Sequence, residues 1–154
     1  MKPKYIRAHM KTAENYASLS TARRLQVGAI IVKDDRIISI GYNGMPAGWD
    51  NNCEYEDVGF SELMGEPQSL VSRGLKTRPE VLHAEANAIA KVARSPESAE
   101  GAVLFVTHAP CMECAKLVYQ SGIKQVFWGT RYRDESGLDF LKQAGVNVSQ
   151  VEEQ

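Results

Sequence analysis

Several features are scarce or absent in this sequence of 154 residues, and each absence excludes a class of protein. Only three cysteines are present, an odd number, and the charged start from Met1 to Arg7 contains no apolar signal segment. A secreted disulfide scaffold is therefore not expected, and we expect a cytoplasmic protein with reduced thiols. No apolar run approaches the roughly 20 residues that span a bilayer, so we expect no membrane association.

An excess of charge of one sign is also lacking. The chain has 18 basic and 19 acidic residues, for a net charge of -1. With such a balance the protein has no electrostatic field that would attract a long polyanion, so nucleic acid is not an expected partner. With 44% hydrophobic residues, the length is typical of a single domain spanning residues 1–154.

The first half of the chain predicts one helix, one hairpin and one insertion. Apolar residues at helical spacing predict an amphipathic helix from about Tyr5 to Leu19. Two β-branched runs, Val27–Val32 and Arg36–Ile40, surround a pair of aspartates and predict a β-hairpin. From Gly41 to about Pro79 the sequence is rich in glycine, proline and polar residues without periodicity, so we expect an irregular insertion at about residues 44–80.

The second half of the chain alternates helical and strand patterns. The predicted elements, in order, are a helix from His83 to Arg94, a strand from Ala102 to Thr107, a helix from Cys111 to Ser121, a strand from Gln125 to Trp128, a helix from Ser136 to Ala144 and an edge strand from Val146 to Val148. This alternation implies parallel pairing with helices on both faces. Because the hairpin makes the sheet mixed, we predict an α/β fold of three layers, α/β/α, around a mixed five-stranded sheet.

Two cysteines follow a predicted strand at the start of a helix. Cys111 and Cys114 are two residues apart, so both sulfurs face one side, and the positive helix terminus favours their thiolate forms. Two sulfurs are half of a tetrahedral zinc site, although a CxxC in this setting is also typical of a redox pair.

A histidine and a glutamate at the start of the preceding helix favour the zinc interpretation. His83 can complete a set of three ligands, and three protein ligands leave the fourth position of zinc open for water, as in catalytic sites. Glu85 lies beside the ligands and can carry the proton of that water. A structural zinc module would need a fourth ligand, and no obvious one accompanies these three residues.

The pattern His83-Ala-Glu85 followed by Pro110-Cys-Met-Glu-Cys114 is the general signature of zinc deaminases. Together with Val27-Gly-Ala29, Gly41-Tyr-Asn-Gly-Met-Pro46 and Tyr132, it resembles the cytidine deaminase superfamily and, within it, the deoxycytidylate (dCMP) deaminases, including phage-type enzymes. The resemblance covers about residues 17–148. It implies the cytidine-deaminase-like fold and zinc-dependent hydrolysis of dCMP to dUMP, which supplies thymidylate synthesis. For a viral chain, the location would be the host cytoplasm.

The resemblance also implies a set of substrate residues. Ser20 and Arg24 would bind the 5′-phosphate, which the fork of an arginine fits well. Asn43 would reach the sugar and the base, Ala84 would contact the substrate, and Tyr132 would close over it. Ordinary structural roles compete with each of these assignments, since Arg24 can be a surface arginine, Asn43 a turn residue and Tyr132 a packed aromatic.

Regulation and assembly are implied by the resemblance as well. In dCMP deaminases the insertion helps form a second nucleotide site, at which dCTP activates and dTTP inhibits with Mg2+ on the triphosphate. Asn43, Gly48 and Asp50 are the matching candidates, and a homohexamer is the expected assembly. Many relatives bind a second, structural zinc, but Ala22 replaces one of its cysteines here. We therefore expect one zinc and a free thiol at Cys53.

The competing enzymatic hypothesis is a deaminase of another substrate on the same core: tRNA adenosine, a free base or a nucleoside. A polynucleotide substrate is disfavoured by the near-neutral charge. The role of His108, near Pro110, stays open between lining the pocket and a structural position at the end of a strand.

Overall fold

The computed structural model describes residues 1–57 and 74–152. Four helices and seven strands lie within these ranges. The helices are α1 (Pro3–Ala17), α2 (Ala84–Ala93), α3 (Met112–Gln120) and α4 (Ser136–Gln143). The strands are β1 (Gly28–Lys33), β2 (Arg36–Tyr42), β3 (Glu54–Asp57), β4 (Gly74–Thr77), β5 (Val103–His108), β6 (Gln125–Thr130) and β7 (Asn147–Gln150).

Five strands form one mixed sheet in the order β2-β1-β5-β6-β7. Strand β1 is antiparallel to both β2 and β5, whereas β5, β6 and β7 are mutually parallel. The predictions of a hairpin feeding a mixed sheet and of parallel pairing in the second half are confirmed. Each predicted helix and each predicted strand of the main sheet is present, with ends that differ by at most two residues.

Alternation along β1 assigns its side chains to two separate cores. Ile30 and Val32 point toward α1, where they pack with Met10 and Phe105. Ala29 and Ile31 point to the opposite face and join the larger cluster, which α2, α3 and α4 cover. The sheet is thus the middle of three layers, as the fold class predicted.

Two glycines let helices approach the sheet closely. A Cβ on Gly28 would lie 2.0 Å from the carbonyl oxygen of Ala13 in α1, and one on Gly41 would lie 2.2 Å from that of Ala84 in α2. No side chain larger than hydrogen fits at either position without a backbone shift. The position of α2, and of the residues at its start, therefore depends on Gly41.

The insertion differs from the prediction of an irregular segment. Its described ends form an antiparallel ribbon, with Glu54 opposite Thr77 and Tyr55 opposite Lys76. Alternation of apolar residues is lacking in both four-residue strands, so periodicity could not reveal them. The rest of the predicted insertion, residues 58–73, lies outside the described residues.

In the part of the chain that the structure describes, no helix combines the length and the apolar character required to cross a bilayer.

Candidate active site and metal centre

The predicted metal ligands meet where two helices begin. His83 is the N-cap of α2, and Cys111 is the N-cap of α3, which follows the carboxyl end of β5. Cys114 lies in the first turn of α3 and is buried, Cys111 is half-buried, and the ring of His83 is exposed. Because both helix termini face the same point at the edge of the sheet, side chains 31 positions apart in sequence come into contact.

The distances among these three side chains fit a tetrahedral ion. His83 Nδ1 lies 3.6 Å from Cys111 Sγ and 3.4 Å from Cys114 Sγ. Bond lengths of zinc to nitrogen and sulfur imply a nitrogen-to-sulfur edge of about 3.6 Å in a tetrahedral site. Among the described residues, these three are the one group of histidine, cysteine and acidic side chains that could hold a metal ion.

The charges of the cluster also suit a cation. Hydrogen bonds from Cys114 and His83 hold the pKa of the Cys111 thiol well below its ordinary value. The hydrogen bond to Cys111 and burial raise the pKa of Cys114, so the two sulfurs share one proton in the absence of a metal. A divalent cation between them would favour both thiolates, which are the forms that bind zinc.

Glu85 is the acidic group of the site. It occupies the first turn of α2 and is only 4% exposed. Burial raises the pKa of its carboxyl group, an effect that the nearby His83 partly offsets. A carboxylate with a raised pKa beside a metal site can both accept and return a proton near neutral pH.

A cavity of about 270 Å³ opens beside the cluster. Its lining residues include His83, Glu85 and Cys111 of the metal site, together with Asn43, Arg24 and Tyr132. The prediction that these residues surround one pocket agrees with this arrangement. Their roles toward a substrate stay predictions.

Asn43 holds the wall of the cavity in place. Its Oδ1 accepts a hydrogen bond from the backbone N–H of Val27 at 2.8 Å, and its Nδ2 donates to the carbonyl oxygen of Leu25 at 2.8 Å. One N–H of the amide is left over after these bonds. Asn43 is therefore fixed in orientation and can still offer a donor to a ligand.

Ser20 and Ala84 do not line the cavity. The Ser20 hydroxyl donates to the carbonyl oxygen of Asn43 at 2.7 Å and accepts the backbone N–H of Ala22 at 3.2 Å. Ala84 is fully buried beneath Gly41. Ser20 thus shapes the loop before β1, and phosphate binding by its hydroxyl stays a prediction that would require an exchange of partners.

Of the three residues predicted for an effector, Asn43 lines this cavity, whereas Gly48 and Asp50 lie outside it. Gly48 has a positive φ of 84°, and Asp50 accepts the backbone N–H of Asn52 at 2.9 Å. Both are exposed on the loop that follows β2, beside Trp49, which is 58% exposed. Neither residue contacts the predicted metal ligands, and their role stays a prediction.

The two residues left open by the sequence have defined surroundings. Cys53 is a buried free thiol whose sulfur lies 3.5 Å from Thr21 Oγ1. His108 lines the cavity, and its Nδ1 lies 3.0 Å from Thr107 Oγ1, which accepts the backbone N–H of Gly28. Burial lowers the pKa of His108, so its neutral form prevails at neutral pH.

Sequence reasoning missed several residues of the site. Glu54, Thr77 and Arg133 line the cavity, although the pattern of the chain predicted no role for them. Gly137 lies directly against the turn that carries Cys111, because a Cβ there would be 2.2 Å from the carbonyl oxygen of Pro110. A glycine at the second position of a predicted helix, where propensity disfavours it, was the available signal.

Comparisons with known proteins agree with the geometry. The family model of the cytidine and deoxycytidylate deaminase zinc-binding region matches residues 3–130. Deoxycytidylate deaminase of Enterobacteria phage T4 is 36% identical over an alignment that covers 82% of this chain and 79% of the phage protein. Deoxycytidylate deaminase of Saccharomyces cerevisiae is 34% identical, and the alignment covers 97% of this chain and 46% of the yeast protein.

A solved structure extends the comparison to three dimensions. The dCMP deaminase of the cyanophage S-TIM5, determined in complex with dCMP and dUMP, superposes with a TM-score of 0.82 at 41% identity. The superposition covers 98% of this chain and 99% of that one. The predicted resemblance to phage-type dCMP deaminases is confirmed.

Proposed function

The chain belongs to the cytidine and deoxycytidylate deaminase family, and we propose that it hydrolyses the 4-amino group of dCMP to give dUMP and ammonia. The observation that carries this proposal is the convergence of His83 Nδ1 with the sulfurs of Cys111 and Cys114, at distances that fit zinc, beside a buried glutamate. The neighbouring cavity, of about 270 Å³, is close to the lower end of the size range of small-molecule sites.

One zinc ion would be held by His83, Cys111 and Cys114. When bound there, it supplies a water of lowered pKa, about 7, at its open fourth position. Glu85 would accept one proton from the water that is consumed and deliver it to the ring nitrogen of the cytosine. The same carboxyl group would then take the second proton of that water and deliver it to the departing amino group, so that one water and one dCMP become dUMP and ammonia.

The rest of the proposal concerns the nucleotide. Arg24 binds the 5′-phosphate, with Ser20 holding the loop that carries it. Asn43 offers its remaining amide N–H to the sugar or the base, and Tyr132 covers the deoxyribose. A substrate contact of Ala84 is implied by the resemblance alone, since Ala84 does not line the cavity. Support comes from the positions of Arg24, Asn43 and Tyr132 around one cavity.

Regulation completes the proposal and is drawn from the family resemblance. A homohexamer would bind dCTP as activator and dTTP as inhibitor, with Mg2+ on the triphosphate, near Asn43, Gly48 and Asp50. The dUMP formed would serve thymidylate synthesis. Ammonia release from dCMP, measured with and without each triphosphate at several enzyme concentrations, tests regulation and assembly separately from the chemistry.

The central test measures ammonia release from dCMP, dCTP, deoxycytidine and cytosine, with zinc content measured on the same samples. We expect dCMP to be preferred and about one zinc per chain. Glu85→Gln should keep the zinc and lose activity by about 100-fold or more, as expected for a general acid–base group. Cys111→Ser and Cys114→Ser should lose the metal and the activity under reducing conditions.

Three results would contradict the proposal. A Glu85→Gln enzyme with full activity and bound zinc would contradict the assignment of Glu85 as proton carrier. Full activity of both cysteine variants would remove the metal assignment. A preference for unphosphorylated deoxycytidine would remove the phosphate role of Arg24.

A further inference from the structure

Four arginines lie on two segments that reach the cavity, and they differ in whether a carboxylate pairs with them. Arg23 and Arg24 precede β1, and Arg131 and Arg133 follow β6. Of these four, only Arg24 and Arg133 line the cavity. Each lining arginine has a near neighbour of the same type that does not line it.

The charge of Arg23 is balanced by a buried carboxylate. Its Nε lies 3.5 Å from Glu54 Oε2, and Glu54 is only 1% exposed. The other oxygen of Glu54 accepts the backbone N–H groups of Arg23 and Arg24 at 2.8 Å and 3.1 Å. Because Glu54 occupies these two N–H groups, a bound anion would have to be recognised by side chains rather than by this backbone.

Arg24 has a neutral partner instead. Its guanidinium donates a hydrogen bond to Thr77 Oγ1 at 3.2 Å, and no carboxylate among the described residues pairs with it. The guanidinium of Arg24 thus forms no ion pair within residues 1–57 and 74–152, although Glu54 also lines the cavity.

The second pair of arginines repeats this division. Arg131 Nη1 lies 2.6 Å from Glu135 Oε1. Asp134 directs its carboxylate away to the start of α4, where it accepts the backbone N–H of Ser136 at 2.8 Å. The side chain of Arg133 then has neither a hydrogen bond nor an ion pair with any residue of the described ranges, although Asp134 and Glu135 are the next two residues in the sequence.

We propose that Arg133 binds the 5′-phosphate of the nucleotide together with Arg24, and so determines the preference for a nucleotide over a nucleoside. This inference rests on the proposed function. A phosphate dianion matches two guanidinium groups in charge and in hydrogen-bonding geometry. The two groups come from segments far apart in the chain and line the same cavity as Glu85, so a nucleotide whose base reaches the metal centre would place its phosphate at these arginines.

The test uses Arg133→Gln and its matched control Arg131→Gln, each assayed on dCMP and on deoxycytidine. We expect Arg133→Gln to lower kcat/KM for dCMP by about 10-fold to 100-fold, mainly through KM, which is the size of effect typical of a hydrogen bond between charged groups. Its kcat/KM for deoxycytidine should stay at the wild-type value. Arg131→Gln should change neither substrate, and Arg133→Lys should recover part of the loss.

Two outcomes overturn the inference. The first is an Arg133→Gln enzyme with wild-type activity on both dCMP and deoxycytidine. The second is an equal loss of activity on both substrates, because an equal loss indicates a structural role. Failure of the proposed function is recognised separately, because the wild-type enzyme would then release no ammonia from dCMP. In that case calorimetric titration with dCMP decides: equal affinity of the wild type and Arg133→Gln would refute the phosphate contact.

Discussion

Gly41→Ala should damage both the stability and the catalytic activity of this protein. The added Cβ would lie 2.2 Å from the carbonyl oxygen of Ala84, where ordinary contact begins at 3.4 Å. Helix α2 must therefore recede from the sheet by about 1.2 Å, the difference between these two distances. A contact with helix backbone cannot be relieved by a side-chain rotation, so we expect a cost near the upper end of the usual range for overpacking, about 3 kcal/mol.

Both consequences can be measured. For a chain of this size, about 3 kcal/mol corresponds to a fall in Tm of about 6–12 °C. Glu85 follows Ala84 directly, so the proton carrier moves with the helix. A displacement of about 1 Å in a catalytic site can cost about 100-fold, and we expect kcat/KM for dCMP to fall by that order at temperatures well below Tm.

Two control variants separate the effects. Gly28→Ala makes an equivalent contact, 2.0 Å from the carbonyl oxygen of Ala13, but displaces α1 on the opposite face of the sheet. It should lower Tm similarly and leave kcat/KM within about threefold of wild type, well short of the loss expected from a displaced catalytic group. Gly44→Ala meets no described atom within 4 Å and should leave Tm unchanged. A Gly41→Ala enzyme with wild-type Tm and activity, or a Gly28→Ala enzyme with the same loss of activity, would refute the reasoning.

The hairpin turn and one histidine allow two further predictions. The double variant Asp34→Asn, Asp35→Gly should raise Tm by an amount equivalent to about 1 kcal/mol. Both aspartates have positive φ (49° and 58°), a conformation that asparagine and glycine adopt at lower cost. An unchanged Tm would contradict this prediction. Burial lowers the pKa of His9 below 6.5, so the unfolded chain binds a proton that the folded chain resists. The contribution of His9 to stability should be complete above pH 6.5 and be lost as the pH drops from there through the folded pKa. Urea unfolding of His9→Gln should show a smaller loss over that interval, and an identical loss would exclude His9 as a contributor.

The sheet and the metal centre could be predicted because their signals are local in sequence. Helix and strand periods identify each element of the main sheet, and a buried strand that leads into a helix determines where the Cys111 and Cys114 side chains lie. The third ligand, His83, could be placed because it also begins a helix. Two helix starts at one edge of a mixed sheet can meet, and the structure shows that they do.

The insertion and the close approaches could not be predicted in the same way. Strands β3 and β4 are short and polar, and their pairing depends on contacts between segments far apart in the chain. Gly137 stands at a disfavoured position of a predicted helix and Gly41 lies at the end of a strand, but only the positions of α2 and of the Cys111 turn show why no Cβ fits at either glycine. These features depend on tertiary contacts that no local pattern encodes.

The arginines at the cavity show how such contacts decide function. Arg23 and Arg24 are identical neighbours, and the sequence offers no reason to choose between them except a family resemblance. In the structure, Glu54 balances the charge of Arg23 and binds both backbone N–H groups, which leaves the side chain of Arg24 without an acidic partner among the described residues. The buried carboxylate thus selects which arginine can bind an anion. Glu54→Gln should keep an acceptor for the two backbone N–H groups but remove the ion pair with the guanidinium of Arg23. The difference between Arg23 and Arg24 in their ability to bind an anion therefore depends on the charge of Glu54 rather than on its shape.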